Sequence, residues 1–278
     1  LIGDAGVLRL LLSAVLAVGT ALVVDRWTEA RGFLPPGFER PWRRVLALLV
    51  LTAILFIGIF LPVGLVGMER PAPTPEDVAG PRIFLLQGLL LLSLVLWFVL
   101  GYAGADRRRL AAVFARQFGL HAGDPYAELG IGVLAGAVGW VVVILLMVAV
   151  VAAVWALGGE EYLPKAPPEL IPLVAGLPIL IRAAIGLTAG VVEELFFRGF
   201  LQARAGIALS TSLFVLAHLS YEQPFMLVGI AALSLLFAFL VRWRRTILPA
   251  IAAHAAFDLI QLLIVVPQVL KRLPDLTG

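Results

Sequence analysis

Continuous apolar stretches separated by short polar segments run the length of the chain. They predict membrane helices at about 5–24, 45–67, 83–104, 129–157, 171–204, 206–221, 225–241 and 247–270. A span needs about 20 apolar residues to cross a hydrocarbon core of roughly 30 Å, so the 278 residues hold such helices and little else. The expected fold is all-α, a polytopic membrane helical bundle of about eight transmembrane helices. The fifth stretch is too long for one straight crossing and carries Pro172 and Pro178 near its start, which predicts a break or an extension beyond the membrane. The sixth is short, as a tilted or partly re-entrant helix would be.

The polar segments alternate in basic content. Segment 25–44 carries Arg26, Arg31, Arg40, Arg43 and Arg44, and segment 105–128 carries Arg107, Arg108, Arg109 and Arg116. Enrichment in arginine places both on the cytoplasmic side. The Pro-rich loop 68–82, with Glu69, Glu76 and Asp77, and the loop 158–169, with Glu160, Glu161 and Glu169 against Lys165, are expected on the other side. Arg198 and Arg204, then Arg242, Arg244 and Arg245, continue the alternation; eight spans put both termini outside, with Lys271 and Arg272 a mild exception. The chain reads as a single membrane domain, 1–278. Residues 1–168 form spans one to four, and 169–270 hold nearly all the intramembrane ionisable groups.

Composition agrees. Hydrophobic residues make up 62% and charged residues 14%, against roughly 25% charged in soluble domains. Mean hydropathy is +1.04. The pI near 9.7 does not point to nucleic acid, because the arginines lie scattered through short loops. With no cysteine, thiolate catalysis, disulfides and cysteine-bound metal are excluded, so His, Asp and Glu must carry any chemistry. The chain begins at Leu1 rather than Met, which leaves a preceding segment open. The high Ala, Leu, Val, Gly and Arg content leans toward a bacterial cytoplasmic membrane.

Three segments inside the last four spans stand out: Glu193-Glu194-Leu195-Phe196-Phe197-Arg198, Phe214-Val215-Leu216-Ala217-His218 and His254-Ala255-Ala256-Phe257-Asp258. Ionisable groups at membrane depth cost several kcal/mol on insertion scales, so they face a cavity or a partner. Glu194 and Arg198 stand four apart, the order in which a helical acid and base pair best, and read as mainly structural. Glu193 projects about 100° away around the helix and is the better base. His218 alone reads as a packed histidine, and His254 with Asp258 as an ordinary i, i+4 pair.

Their depths converge. At about 1.5 Å per residue, Glu193 lies roughly 20 Å before a turn near Gly206 and His218 roughly 18 Å after it. From Arg245, His254 lies about 14 Å and Asp258 about 20 Å into the last span.

Together the three segments resemble the EExxxR, FxxxH and HxxxN/D motifs of the CPBP family of intramembrane proteases, which includes the type II CAAX prenyl endopeptidases and bacteriocin-processing relatives. The resemblance covers Glu193 to Asp258. It implies a glutamate-dependent endopeptidase acting on a membrane-associated peptide or protein, without a cofactor, with the lipid bilayer as its setting. Glu193 and His218 would polarise the attacking water, His254 and Asp258 would support the tetrahedral intermediate, Glu194 and Arg198 would hold the motif helix, and Phe214 would pack one turn before His218. Asp258 stands where relatives carry Asn or Asp. An ionised aspartate only accepts hydrogen bonds, so it is expected to orient and charge His254, or else to stay protonated.

Other functions fit the same residues. A zinc-dependent intramembrane metalloprotease would use Glu193, His218 and His254 as ligands, although there is no HExxH and the three sit on separate helices. A proton-coupled transporter would use them as a relay, but the chain lacks an evident two-half repeat with matched broken helices. An immunity or scaffold protein would keep the fold without the reaction.

Overall fold

The computed structural model describes residues 4–68, 74, 80–104, 106–163, 170–219, 224–268 and 271. The loop charges Glu69, Glu76, Asp77, Lys165, Glu169 and Arg272 lie outside the described residues. Regular structure among the described residues is helical throughout, with no strand. In chain order the helices are α1 (Asp4–Ala30), α2 (Pro41–Gly64), α3 (Arg82–Tyr102), the short α4 (Leu110–Gln117), α5 (Pro125–Ala156), α6 (Leu170–Ala175), α7 (Ile179–Glu194), α8 (Ala203–Ala217), α9 (Pro224–Arg244) and α10 (Leu248–Leu259). A π-helical segment, Leu195–Gln202, joins α7 to α8 without a break, and another, Ile260–Val265, prolongs α10.

Among the described residues, six helices are long and apolar enough to cross a bilayer: α1, α2, α3, α5, α9 from Met226, and α10 prolonged to Gln268. Only 11% of the most apolar stretch of α5 is buried inside the protein, which suits a face turned to lipid rather than water. The protein is a multi-pass membrane helical bundle.

The fifth and sixth predicted spans take a different form. The fifth breaks where its prolines predict. The amide of Gly176 closes α6 on Pro172 O, and Pro178, which has no N–H to continue a helix, starts α7. The helix from Ile179 into α8 then carries Arg182, Glu193, Glu194, Arg198 and Arg204, too many charges for a simple apolar span. Gly206 (φ 87°, ψ 173°) splits α8 in a conformation open almost only to glycine. Beyond it, residues 207–217 give about 16 Å of helix, half a hydrocarbon core. This half-length helix returns against the preceding one: Ser210 Oγ donates to Phe197 O (2.6 Å), and the Phe197 and Phe214 rings meet edge to face at 5.0 Å. His218 therefore sits at a helix end within the bundle.

The four segments expected on one side of the membrane touch one another at one end of the bundle. Arg31 reaches Ala203 O, and Arg43 donates to Ala103 O. Arg204 donates to Gln117, while Thr246 Oγ1 and Ile247 N both donate to Gly119 O. Arg244 holds Glu128 at 2.7 Å.

Small residues set the spacing of the C-terminal helices. A Cβ on Gly132 would come within 2.6 Å of Ala252 Cβ, and one on Gly136 within 2.9 Å of Ala253 Cα. On the other side of α10, a Cβ on Gly190 would lie 2.9 Å from Ala255 N and one on Gly186 3.0 Å from Asp258 Cβ. Such stripes let membrane helices pack backbone to backbone. Squeezed between α5 and α7, α10 brings His254 and Asp258 beside the paired glutamates.

Candidate active site

Glu194 ends α7 and is fully buried. Its Oε1 accepts from Arg198 Nη1 at 3.0 Å and lies 2.9 Å from His254 Nδ1. An ionised carboxylate only accepts, so that ring nitrogen carries a proton. Arg198, equally buried, donates through Nη2 to Ser234 Oγ (2.9 Å) and Ser234 O (3.2 Å) on α9. Its guanidinium carbon stands 4.4 Å from the centre of the Phe214 ring and 5.4 Å from that of Phe237. Two aromatic faces, a carboxylate and a serine thus surround a cation that would otherwise be costly to bury.

The other side of His254 faces Asp258, with Nε2 3.6 Å from Oδ2, too far for a hydrogen bond. The hydrogen bond that orients this ring, expected from Asp258, is made by Glu194. The reason is the packing at Gly190, which lets α10 approach α7 closely at the level of the glutamates.

His218 caps α8, and its Nδ1 lies 2.7 Å from Phe214 O. A carbonyl only accepts, so Nδ1 is protonated in the neutral ring and Nε2 is the basic nitrogen. Phe214, predicted to pack one turn before His218, does so with ring centres 4.6 Å apart.

Glu193 differs from its neighbour in having no bond like those that hold Glu194 Oε1, although Glu194 Oε2 is also buried without a partner among the described residues. Glu193 Oε2 is buried and has no hydrogen-bond partner among the described residues. The side chain lies within electrostatic reach of His254, Glu194 and Arg198, and Asp258 within reach of His254, Glu193 and His218. Asp258 is a quarter exposed, the most accessible side chain of the His254–Asp258–Glu194 group. Glu193, Glu194 and Arg198 on the α7–α8 helix, His218 at the end of α8, and His254 and Asp258 on α10 therefore form one cluster. Among the described residues, no three or more His, Asp or Glu side chains converge as a metal-binding set.

Residues 175–260 match the family model of Rce1-like type II CAAX prenyl endopeptidases. This region of the chain is similar to that family. The match spans α7 to α10 and every residue of the cluster, and it supports the CPBP assignment drawn from the three motifs. No curated protein and no solved structure matches the chain.

Two contributors to the cluster, Ser234 and Phe237, lie on α9, which carries none of the three motifs. Ser234 had a signal, being the hydroxyl in an otherwise apolar run, Ala231–Leu240. Phe237 had none, since one phenylalanine among 16 is indistinguishable from packing.

Proposed function

We propose that the chain is an intramembrane endopeptidase that cleaves a membrane-associated peptide with a water activated by Glu193 and His218. The observation that carries this reading is the contrast between adjacent glutamates: Glu194 is held through Oε1 by Arg198 and His254, while no described residue bonds Glu193, whose Oε2 is buried beside the His254 and Asp258 side chains; Glu194 Oε2 is likewise buried without a partner. A buried acceptor of this kind suits a water or a substrate group.

In the proposed reaction, Glu193, assisted by His218 Nε2, takes a proton from water as its oxygen attacks the peptide carbonyl. The new oxyanion is met by the Nε2–H of His254. Glu194 on Nδ1 and the nearby Asp258 favour the doubly protonated imidazole, so the ring can donate to the oxygen as negative charge develops. Collapse breaks the C–N bond, and Glu193 returns its proton to the departing amine. Residues 169–270 act as the catalytic region and 1–168 as its membrane scaffold, in a bacterial cytoplasmic membrane.

A zinc-dependent form of the same hydrolysis has one observation in its favour. Both histidines have Nδ1 beside a protein oxygen, as zinc-binding histidines commonly do.

The test is to incubate purified protein with a library of membrane-anchored peptides, comparing wild type with Glu193→Ala and His218→Ala. Cleavage by wild type should fall about 100- to 10,000-fold in each variant. Cleavage that survives both changes sinks the mechanism, and proton-coupled uptake lost in both, with no cleavage, replaces it with transport.

A further inference from the structure

Three features of α9 converge on the cluster although the helix holds no motif residue. Ser234 fixes Arg198 through its hydroxyl and carbonyl. Ala238 O accepts from Gln202 Nε2 at 3.1 Å, tying the same face of α9 to the end of the π-helical segment. Between them, Phe237 lies flat against His254, with ring centres 5.1 Å apart and planes inclined by 18°. Positions 234, 237 and 238 share one side of a helix, so all three contacts come from a single docked face.

The hydrogen bond from Glu194 fixes one point of the His254 ring, but an imidazole can still pivot about that bond. A flat aromatic neighbour removes this freedom. With Phe237 on one face and the Phe214 ring at 6.0 Å in an edge-to-face approach, the plane of His254 is set and Nε2 is aimed to the side of Asp258. The negative face of the Phe237 ring also favours a cationic imidazole over a neutral one. Phe237 is 1% exposed and His254 6%, so neither contact competes with solvent.

We propose that Phe237 is a positioning residue for the hydrolysis, holding the His254 ring in the plane from which Nε2–H meets the oxyanion. This rests on the endopeptidase reading above. Phe237 touches neither water nor peptide; its effect runs through His254. Losing the flat contact frees the ring to tilt, and displacements of about 1 Å at a reacting group cost up to about 100-fold in rate.

The experiment measures kcat and KM for a peptide that wild type cleaves, in Phe237→Leu, Glu193→Ala and Leu240→Ala. In parallel, NMR of 15N-histidine-labelled protein follows the ring nitrogens of His254. Leu240 is buried in the same apolar cluster as Phe237 and serves to report loss of packing alone. The expected result is a fall in kcat of about 10- to 100-fold in Phe237→Leu with KM within about twofold, and shifted or broadened His254 nitrogen signals. In Leu240→Ala, kcat and the His254 signals should stay close to wild type. The inference is overturned if Phe237→Leu keeps kcat within about twofold of wild type, if its loss appears in KM alone, or if Leu240→Ala reproduces both changes. Failure of the underlying reading looks different: Glu193→Ala then cleaves as well as wild type.

Discussion

Glu194 Oε1 lies 2.9 Å from Nδ1 of His254, sixty residues further along the chain, and the same oxygen accepts from Arg198 at 3.0 Å. One carboxylate thus joins α7 to α10 and, through Arg198 and Ser234, to α9. Adjacent glutamates have divided the work. Glu194 organises three helices through Oε1, whereas Glu193 ties none together; each keeps a buried Oε2 that no described residue uses.

Neutralising each glutamate in turn should therefore give opposite results. Glu194→Gln leaves Arg198 buried without its counter-charge, and breaking a buried pair costs about 3–5 kcal/mol. A clear drop in the thermal unfolding midpoint in detergent is expected. Glu193→Gln removes no hydrogen bond to a described residue, so stability should change by less than about 1 kcal/mol while cleavage is lost. Equal destabilisation by the two changes would contradict this division.

Glycines on one helix should respond according to what they face. Gly136 of α5 lies against the α10 backbone at Ala253, whereas nothing lies within 4 Å of a Cβ built on Gly130. Gly136→Leu forces α5 and α10 apart and, with them, His254 from Glu194; loss of folded protein or of cleavage is expected. Gly130→Leu points into open space outside the bundle and should leave both intact. Size-exclusion profiles and peptide cleavage read the two variants side by side.

The division of labour was only partly legible in the sequence. Apolar runs locate helices because the bilayer forces every backbone group into an internal hydrogen bond, and the prolines at 172 and 178 located the break between α6 and α7. The Glu194–Arg198 pair was readable because i, i+4 spacing is a local property. The contact of His254 with Glu194 was not, since it depends on how closely two helices pack, and that is set by Gly186 and Gly190 on a face no motif marks. The half-length of α8 was equally hidden: residues 206–221 are apolar enough to suggest a span, yet the helix ends at Ala217. Phe237 shows the limit most clearly. Its role follows from a ring plane, and no spacing encodes one.

Chelation separates the two hydrolytic mechanisms. Among the described residues the acids and histidines do not converge as a metal-binding set, although the Nδ1 contacts of His218 and His254 leave each Nε2 turned away from them. Cleavage should therefore persist after dialysis against EDTA or 1,10-phenanthroline. Elemental analysis of the active protein should give well under one zinc per chain. Loss of cleavage on chelation, restored by added zinc, would turn Glu193, His218 and His254 into ligands instead.

The orientation of the bundle can be read directly because the chain has no cysteine of its own. Arg40 and Arg116 are exposed at the end where the arginine-rich segments meet, while Leu157 and Tyr162, 87% and 71% exposed, lie past the far end of α5. Cytoplasmic enrichment of arginine predicts that Arg40→Cys and Arg116→Cys react with a membrane-impermeant maleimide only in inverted vesicles. Leu157→Cys and Tyr162→Cys should react only in right-side-out ones. Labelling of all four from one side would break the alternation of spans, and a clean reversal would show that the arginine-rich end faces outward. The result also fixes the geometry of proteolysis. Glu193 stands about 20 Å of helix before Gly206, at the arginine-rich end, so the side that labels Arg40→Cys is the side from which a peptide would have to descend past that depth.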